Sequence, residues 1–171
     1  IVHEIRPELS VTDITVNKNG ALFNGSTSLI DTGTDMIGTK AVTVMGWINP
    51  YTFGEGGAYG YIIDNSKFQL STYAGINGWY VRHDGATTVS SASNQFILNK
   101  WQFLAFTRTG AGITNMYYGD LNTAPTLSGA ADRSGGTPTA GTTNVFIGSS
   151  NGTYTIDGLI PKLKVVEGIL T

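Results

Sequence analysis

Apolar and polar residues alternate in short runs along most of this chain, and Gly, Asn, Asp or Pro closes nearly every run. The period of two predicts strands near Ala21–Phe23, Ser28–Ile30, Val42–Asn49, Tyr61–Asp64, Lys67–Thr72, Gly78–His83, Thr87–Ser90, Trp101–Thr107, Thr114–Tyr118, Asn144–Gly148 and Gly158–Val166. Val, Ile, Thr, Tyr, Phe and Trp dominate these runs, and their branched or flat side chains suit a pleated, half-buried surface. Helical periodicity is nearly absent; a single turn near Glu167–Leu170 is the one helical candidate. About eleven short strands separated by turn signals predict an antiparallel sandwich or barrel. A parallel sheet would need crossover helices, and no stretch supplies them.

The alternation also assigns faces. Phe68 and Leu70 point one way, and Gln69, Ser71 and Tyr73 the other. Trp79 and Val81 point to the core, with Tyr80, Arg82 and Asp84 away from it. Met116 and Tyr118 look inward, Asn115 and Tyr117 outward. The apolar neighbours of Trp47, Trp79 and Trp101 predict all three indoles in the core. Two segments read as loops: the Gly-rich Thr52–Gly60, with Tyr59 inside it, and the Thr/Ala/Ser/Gly/Pro-rich Leu121–Thr143. No internal repeat or linker divides the 171 residues, so they are expected to form one domain, with residues 1–20 as a strand-like lead-in.

Composition narrows the function classes. Hydrophobic residues reach 40%, enough for a core, but charged residues are only 13%, so Thr, Ser, Asn and Gly must build the solvent face. Net charge is −2 and no basic stripe exists, which argues against nucleic acid as a partner. With no cysteine there is no disulfide, thiolate metal site or thiol nucleophile. No apolar run approaches the roughly 20 residues of a membrane-spanning helix, so no membrane insertion is expected. A chain that opens at Ile1 is expected to be processed or excised from a larger protein, with neighbouring domains.

Several segments, taken in order, resemble the laminin G-like branch of the concanavalin A-like jelly-roll superfamily. They are Ala21–Ile30 (ALFNGSTSLI), Ala41–Pro50 (AVTVMGWINP), Asn99–Gly110 (NKWQFLAFTRTG), Asn115–Leu121 (NMYYGDL), Asn144–Ser150 (NVFIGSS) and Ile156–Thr171. The resemblance implies an all-β jelly roll of two antiparallel sheets packed face to face. Its members include lectins, carbohydrate-binding modules, glycoside hydrolases, receptor-binding domains and phage or adhesin modules, so the fold alone does not decide function. Many relatives hold a structural Ca2+ with an acidic residue just after the Gly-x-Ile of the last strand. Here Pro161 and Lys162 follow Gly158-Leu159-Ile160, which leaves Asp157 as the candidate calcium ligand, helped by carbonyls near Asn24 or Gly25. No other cofactor is implied.

Catalytic constellations are poorly represented. Glycoside hydrolysis needs two carboxylates about 5–10 Å apart. The four Glu residues, Glu4, Glu8, Glu55 and Glu167, fall in terminal or loop segments, and no strand carries two acids at i, i+2. No Gly-x-Ser-x-Gly elbow occurs. His3 and His83 are too far apart in sequence to suggest a zinc site, and Gly54-Glu55-Gly56-Gly57 lacks the Lys-Ser/Thr ending of a phosphate loop. Outward aromatics carry more information, because sugars stack apolar C–H faces on such rings while neighbouring polar groups take the hydroxyls. Tyr73, Tyr80, Arg82, Asp84 and Tyr117 are the candidate ligand-binding residues, provided their strands are neighbours. The expectation is a non-catalytic recognition module for a glycan or cell-surface receptor on a secreted, cell-surface or virion protein. The alternatives are an adhesion or assembly module of a fibre, spike or surface layer, and a glycoside hydrolase of the same fold.

Overall fold

The computed structural model describes residues 9–83, 87–129, 133–134 and 136–170. The strands are β1 (Ser10–Thr12), β2 (Thr15–Asn17), β3 (Gly20–Asn24), β4 (Leu29–Asp31), β5 (Val42–Pro50), β6 (Tyr61–Asp64), β7 (Phe68–Tyr73) and β8 (Gly78–His83). They continue with β9 (Thr87–Ser90), β10 (Gln102–Arg108), β11 (Ile113–Asp120), β12 (Thr126–Leu127), β13 (Arg133–Ser134), β14 (Phe146–Ile147) and β15 (Asp157–Glu167). One antiparallel sheet has the order β1-β4-β14-β6-β7-β8-β9. The other has the order β12-β11-β10-β5-β15-β3-β2, with β13 beside β11. Of the sandwich or barrel that the period of two predicts, the structure is the two-sheet antiparallel sandwich that the resemblance implies.

Alternation fills the space between the sheets. Ile62, Phe68, Leu70, Trp79 and Val81 come from the first sheet, and Phe23, Val44, Ile48, Leu104, Phe106 and Met116 from the second. The Phe68 and Phe106 rings meet across the layers with centroids 5.0 Å apart, and Trp79 lies edge-on to Phe96 at 4.9 Å. At one end of the core Arg108 is buried; its Nη2 donates to the carbonyls of Gly38 (2.7 Å) and Lys40 (3.0 Å), while its guanidinium sits over the Phe68 ring. A charge this deep must be hydrogen-bonded to be tolerated. Nearby, Asp35 ties three segments together by accepting from the N–H groups of Ile37, Gly38 and Gly141 and from Asn65 Nδ2. Burial pushes its carboxyl up, but these bonds outweigh burial and hold it below the usual value.

Several expectations need correction. Trp79 is fully buried, but Trp47 and Trp101 are only half-buried. Within β5, Val44 and Ile48 take the core side, so Trp47 faces out with Met45 and packs against Phe103, ring centroids 5.5 Å apart. Apolar neighbours in sequence misled here, because adjacent residues of a strand face opposite ways. The lead-in contributes edge strands to both sheets, β1 beside β4 and β2 beside β3. The Leu121–Thr143 loop supplies β12 and β13, both paired with β11. Glu167–Leu170 is not helical: Glu167 ends β15, the Gly168 N–H donates to Ala41 O, and Thr43 Oγ1 both donates to Gly168 O and accepts from the Leu170 N–H.

Gly148 shows how tightly the layers meet. Its φ is 83°, and a Cβ there would run into the Phe23 ring of the opposite sheet. Gly148→Ala is expected to lose at least about 1–2 kcal/mol from backbone strain, plus the clash. Phe23→Ala is expected to lose about 3–5 kcal/mol. A urea-denaturation double-mutant cycle should find the Gly148→Ala and Phe23→Leu effects non-additive, with the smaller side chain relieving part of the clash.

Candidate functional site

The β7–β8 hairpin register builds the centre of the site. Leu70 pairs with Val81 and Thr72 with Trp79, which turns these residues inward. Between them Ser71 pairs with Tyr80 and Tyr73 with Gly78, which turns the two tyrosines outward. The Tyr73 and Tyr80 rings lie 5.2 Å apart at 60°. Gln69 pairs with Arg82, whose side chain is exposed at the rim.

Three further tyrosines join this pair. Tyr59 stacks on Tyr73, with centroids 5.2 Å apart and planes 7° apart. It also meets Tyr80 edge-on at 6.2 Å. Tyr154 stands edge-on to Tyr59 at 6.4 Å and lies 5.6 Å from Tyr61. Tyr59, Tyr61, Tyr73, Tyr80 and Tyr154 thus form a continuous aromatic cluster on the outer side of the seven-stranded sheet, with Arg82 beside it.

Local chemistry fixes each member. The loop bearing Tyr59 is clamped to β7: Thr72 Oγ1 donates to Phe53 O (2.7 Å) and accepts from the Gly60 N–H (2.7 Å), and the Thr72 N–H donates to Gly60 O (3.0 Å). Phe53 stacks on the buried Phe96 at 4.5 Å, which pins the loop's other end. Tyr61 begins β6 at a bulge, where the pairing with β7 slips between Tyr61 and Ile63 and leaves both Ile62 and Ile63 buried. Bulges commonly redirect a side chain in this way. Tyr154 has φ 54°, a left-handed conformation that costs a bulky residue about 1–2 kcal/mol. It is held by Tyr61 N–H donating to Tyr154 O and by Glu55, whose N–H donates to Thr155 O and whose Oε2 accepts from the Thr155 N–H. Half of the Tyr154 side chain stays exposed.

Among the described residues, exposed Arg82 and the buried Asp64 carboxylate are the charges that act on Tyr61. Burial, and then the nearby Asp64 carboxylate, push the Tyr61 hydroxyl up to about 12; Arg82 opposes this. Burial and the neighbouring phenols raise Tyr59 as well. Both therefore remain protonated donor–acceptors throughout the neutral range. Asp64 itself is buried and engaged, accepting from the Ser66 N–H at 2.9 Å and from Ser150 Oγ at 2.7 Å.

Of the residues singled out by sequence, the structure brings Tyr73, Tyr80 and Arg82 together. Asp84 lies outside the described residues. Tyr117 belongs to β11 in the other sheet, where it lines a cleft of about 410 Å3 with Met45, Phe103, Ala105 and Pro125, so the single expected patch is in fact two. Tyr59, Tyr61 and Tyr154 were not among the expected ligands. Tyr59 was visible only as an aromatic inside a loop, the bulge hid the facing of Tyr61, and no periodic signal marks Tyr154.

Asp157 does not gather a calcium site. It pairs with Asn24 across β15 and β3. Asn24 Oδ1 already accepts from the N–H groups of Ser26, Thr27 and Ser28. The Ile156 carbonyl accepts from the Gly25 N–H, and the Ser26 carbonyl from Thr155 Oγ1. Among the described residues no three His, Asp or Glu side chains cluster closely enough to hold a metal ion. A hard cation needs six to eight oxygens, and the residues here do not fit one.

Comparison places this geometry in a family. Residues 24–171 match the laminin G-type profile of the concanavalin A-like lectin/glucanase superfamily, and the chain belongs to it. Its backbone resembles a heptameric SAP-like pentraxin from Limulus polyphemus, with TM-score 0.60, 18% identity, and coverage of 88% of this chain and 76% of that one. It also resembles domain 4 of AbnA, an extracellular arabinanase from Geobacillus stearothermophilus solved with arabinotriose, with TM-score 0.59, 17% identity, and coverage of 95% and 77%. A third is the botulinum neurotoxin serotype D binding domain, with TM-score 0.62, 18% identity and coverage of 96% of this chain but only 44% of that one. At these identities the likeness establishes the fold alone. No curated protein matches the chain in sequence. No helix among the described residues is long and apolar enough to cross a membrane.

The cluster's packing can be tested through Gly75, in the 3-10 turn Ala74–Ile76. A Cβ at Gly75 would press on the Tyr73 Cζ and hydroxyl oxygen. Gly75→Ala is expected to displace the Tyr73 ring and break its stack with Tyr59. The near-ultraviolet circular dichroism of tyrosine should change while the far-ultraviolet spectrum and the melting transition stay close to wild type.

Proposed function

We propose that this domain is a non-catalytic recognition module that binds a glycan on the tyrosine face of its seven-stranded sheet. One observation carries the reading: five phenol rings meet on one outer sheet face with a cation at the rim. Such rings offer flat apolar surfaces for pyranose or furanose C–H faces, and their hydroxyls and Arg82 offer hydrogen bonds to sugar oxygens. Two fold neighbours support a sugar ligand, the arabinanase domain solved with arabinotriose and a Trypanosoma rangeli sialidase solved with sialic acid; this chain spans only 28% of the sialidase. The toxin binding domains of similar fold support a cell-surface receptor as the glycan's carrier.

The carboxylates described beside the face support binding without turnover. Glycoside hydrolysis needs an acid and a base or nucleophile free to reach the scissile bond. Asp64 is buried with an oxygen committed to each of two donors, and Glu55 Oε2 is committed to the Thr155 N–H. A surface low in charge and rich in Thr, Ser, Asn and Gly suits a location on a secreted, cell-surface or virion protein.

The test is a glycan array followed by calorimetric titration of the best ligand. Tyr73→Ala and Tyr80→Ala are each expected to weaken binding by about 1–2 kcal/mol, roughly tenfold, because each removes a partly exposed stacking ring. The same variants should keep the wild-type melting temperature to within a few degrees. Unchanged affinity in both would refute the assignment of the site.

A further inference from the structure

The outer side of the eight-stranded sheet carries a second aromatic surface that the tyrosine face does not explain. Trp47 pairs with Phe103 on one side and Lys162 on the other, so all three share the outer face. Trp101 immediately precedes β10, two residues before Phe103. Its half-buried indole separates two clefts. One, of about 310 Å3, is lined by Trp101 together with Lys100, Asp120 and Asn122. The other, of about 260 Å3, runs between Trp101 and Trp47 and reaches Asn19 and Pro161. A third, of about 200 Å3, continues from Trp47 past Phe103 beneath Lys162 and Lys164. Each cleft shares an indole with the next, so the three follow one another along the Trp101–Trp47–Phe103 row and are treated as one groove.

The lining selects the occupant. The core of a protein–protein interface is depleted of Lys and Asp, yet Lys100, Asp120 and Asn122 line the first cleft and Lys162 and Lys164 the third, on either side of an almost wholly apolar cleft between the indoles. Asp120 is fixed in place, its Oδ1 accepting from the N–H groups of Asn122 and Thr123, each at 2.8 Å. These bonds hold its carboxyl below the usual value, so it is an ionised acceptor at neutral pH. Flat rings interleaved with fixed acceptors and flexible donors match a molecule with apolar ring faces and hydroxylated edges.

We infer that the Trp101–Trp47–Phe103 groove is a second carbohydrate-binding surface, independent of the tyrosine face. The two surfaces lie on opposite sheets, so one domain engages two glycan segments at once and gains avidity on a dense glycan layer.

Indole-resolved NMR tests this, because the buried Trp79 serves as an internal control. The protein is titrated with arabinotriose, cellopentaose and chitotriose. The expected result is that at least one sugar shifts the indole N–H signals of Trp101 and Trp47 and leaves Trp79 unmoved. Those shifts should persist in the Tyr73→Ala/Tyr80→Ala double variant. Trp101→Ala should weaken the Trp47 response at least about tenfold, Asp120→Asn should weaken it with the fold untouched, and Trp101→Phe should largely retain it. No indole shift with any of the three sugars would overturn the inference, as would a response lost with the tyrosines or unchanged in Trp101→Ala. Loss of binding at the tyrosine face with the indole response intact would instead count against that face alone.

Discussion

The tyrosine face of this domain depends on the pairing register of one hairpin. With Leu70 opposite Val81 and Thr72 opposite Trp79, the β7–β8 pair delivers a fully buried Trp and Val to the core. The same pairing leaves Tyr73 and Tyr80 outside. A slip of one residue would exchange the two faces, burying phenols and exposing the indole. The apolar core therefore positions the tyrosine face: burying Trp79 against Phe96 and filling the interlayer space with Phe23, Phe68 and Phe106 sets the outward register.

Around that hairpin the other rings are held by costlier devices. Tyr59 needs a loop clamped at both ends by Thr72 and Phe53, Tyr61 a bulge, and Tyr154 a left-handed backbone. Strain of this kind persists only where surrounding structure over-determines it, and here its common outcome is a contiguous set of rings. Tyr61 illustrates the electrostatic side, since burial beside Asp64 keeps its phenol protonated far into the alkaline range. Among the described residues the surface thus offers neutral hydroxyls with the Arg82 cation beside them.

Alternation made much of this legible in advance. The inward facing of Phe68, Leu70, Trp79, Val81 and Met116, and the outward facing of Tyr73, Tyr80 and Tyr117, could be read from the period of two, because that period is a property of the strand itself. Which strands become neighbours is not local. Tyr117 and Tyr80 look alike in sequence but belong to different sheets, since β11 pairs with β10 whereas β8 pairs with β7. Trp47 was misread for a related reason, as apolar neighbours say nothing about which face a side chain takes. Tyr154 could not have been found, because its placement depends on a single irregular backbone angle.

The chain therefore presents two aromatic surfaces back to back, one of phenols and one of indoles, on a scaffold shared with lectins, receptor-binding domains and hydrolase modules. The most direct test of the central claim is a nuclear Overhauser experiment on protein with labelled aromatic rings. The account predicts ring-to-ring contacts from Tyr59 to Tyr73 and from Tyr73 to Tyr80, with the Trp79 indole in contact with Phe96 and shielded from solvent. A Trp79 indole that exchanges freely with water, or Tyr73 and Tyr80 rings without mutual contacts, would contradict it.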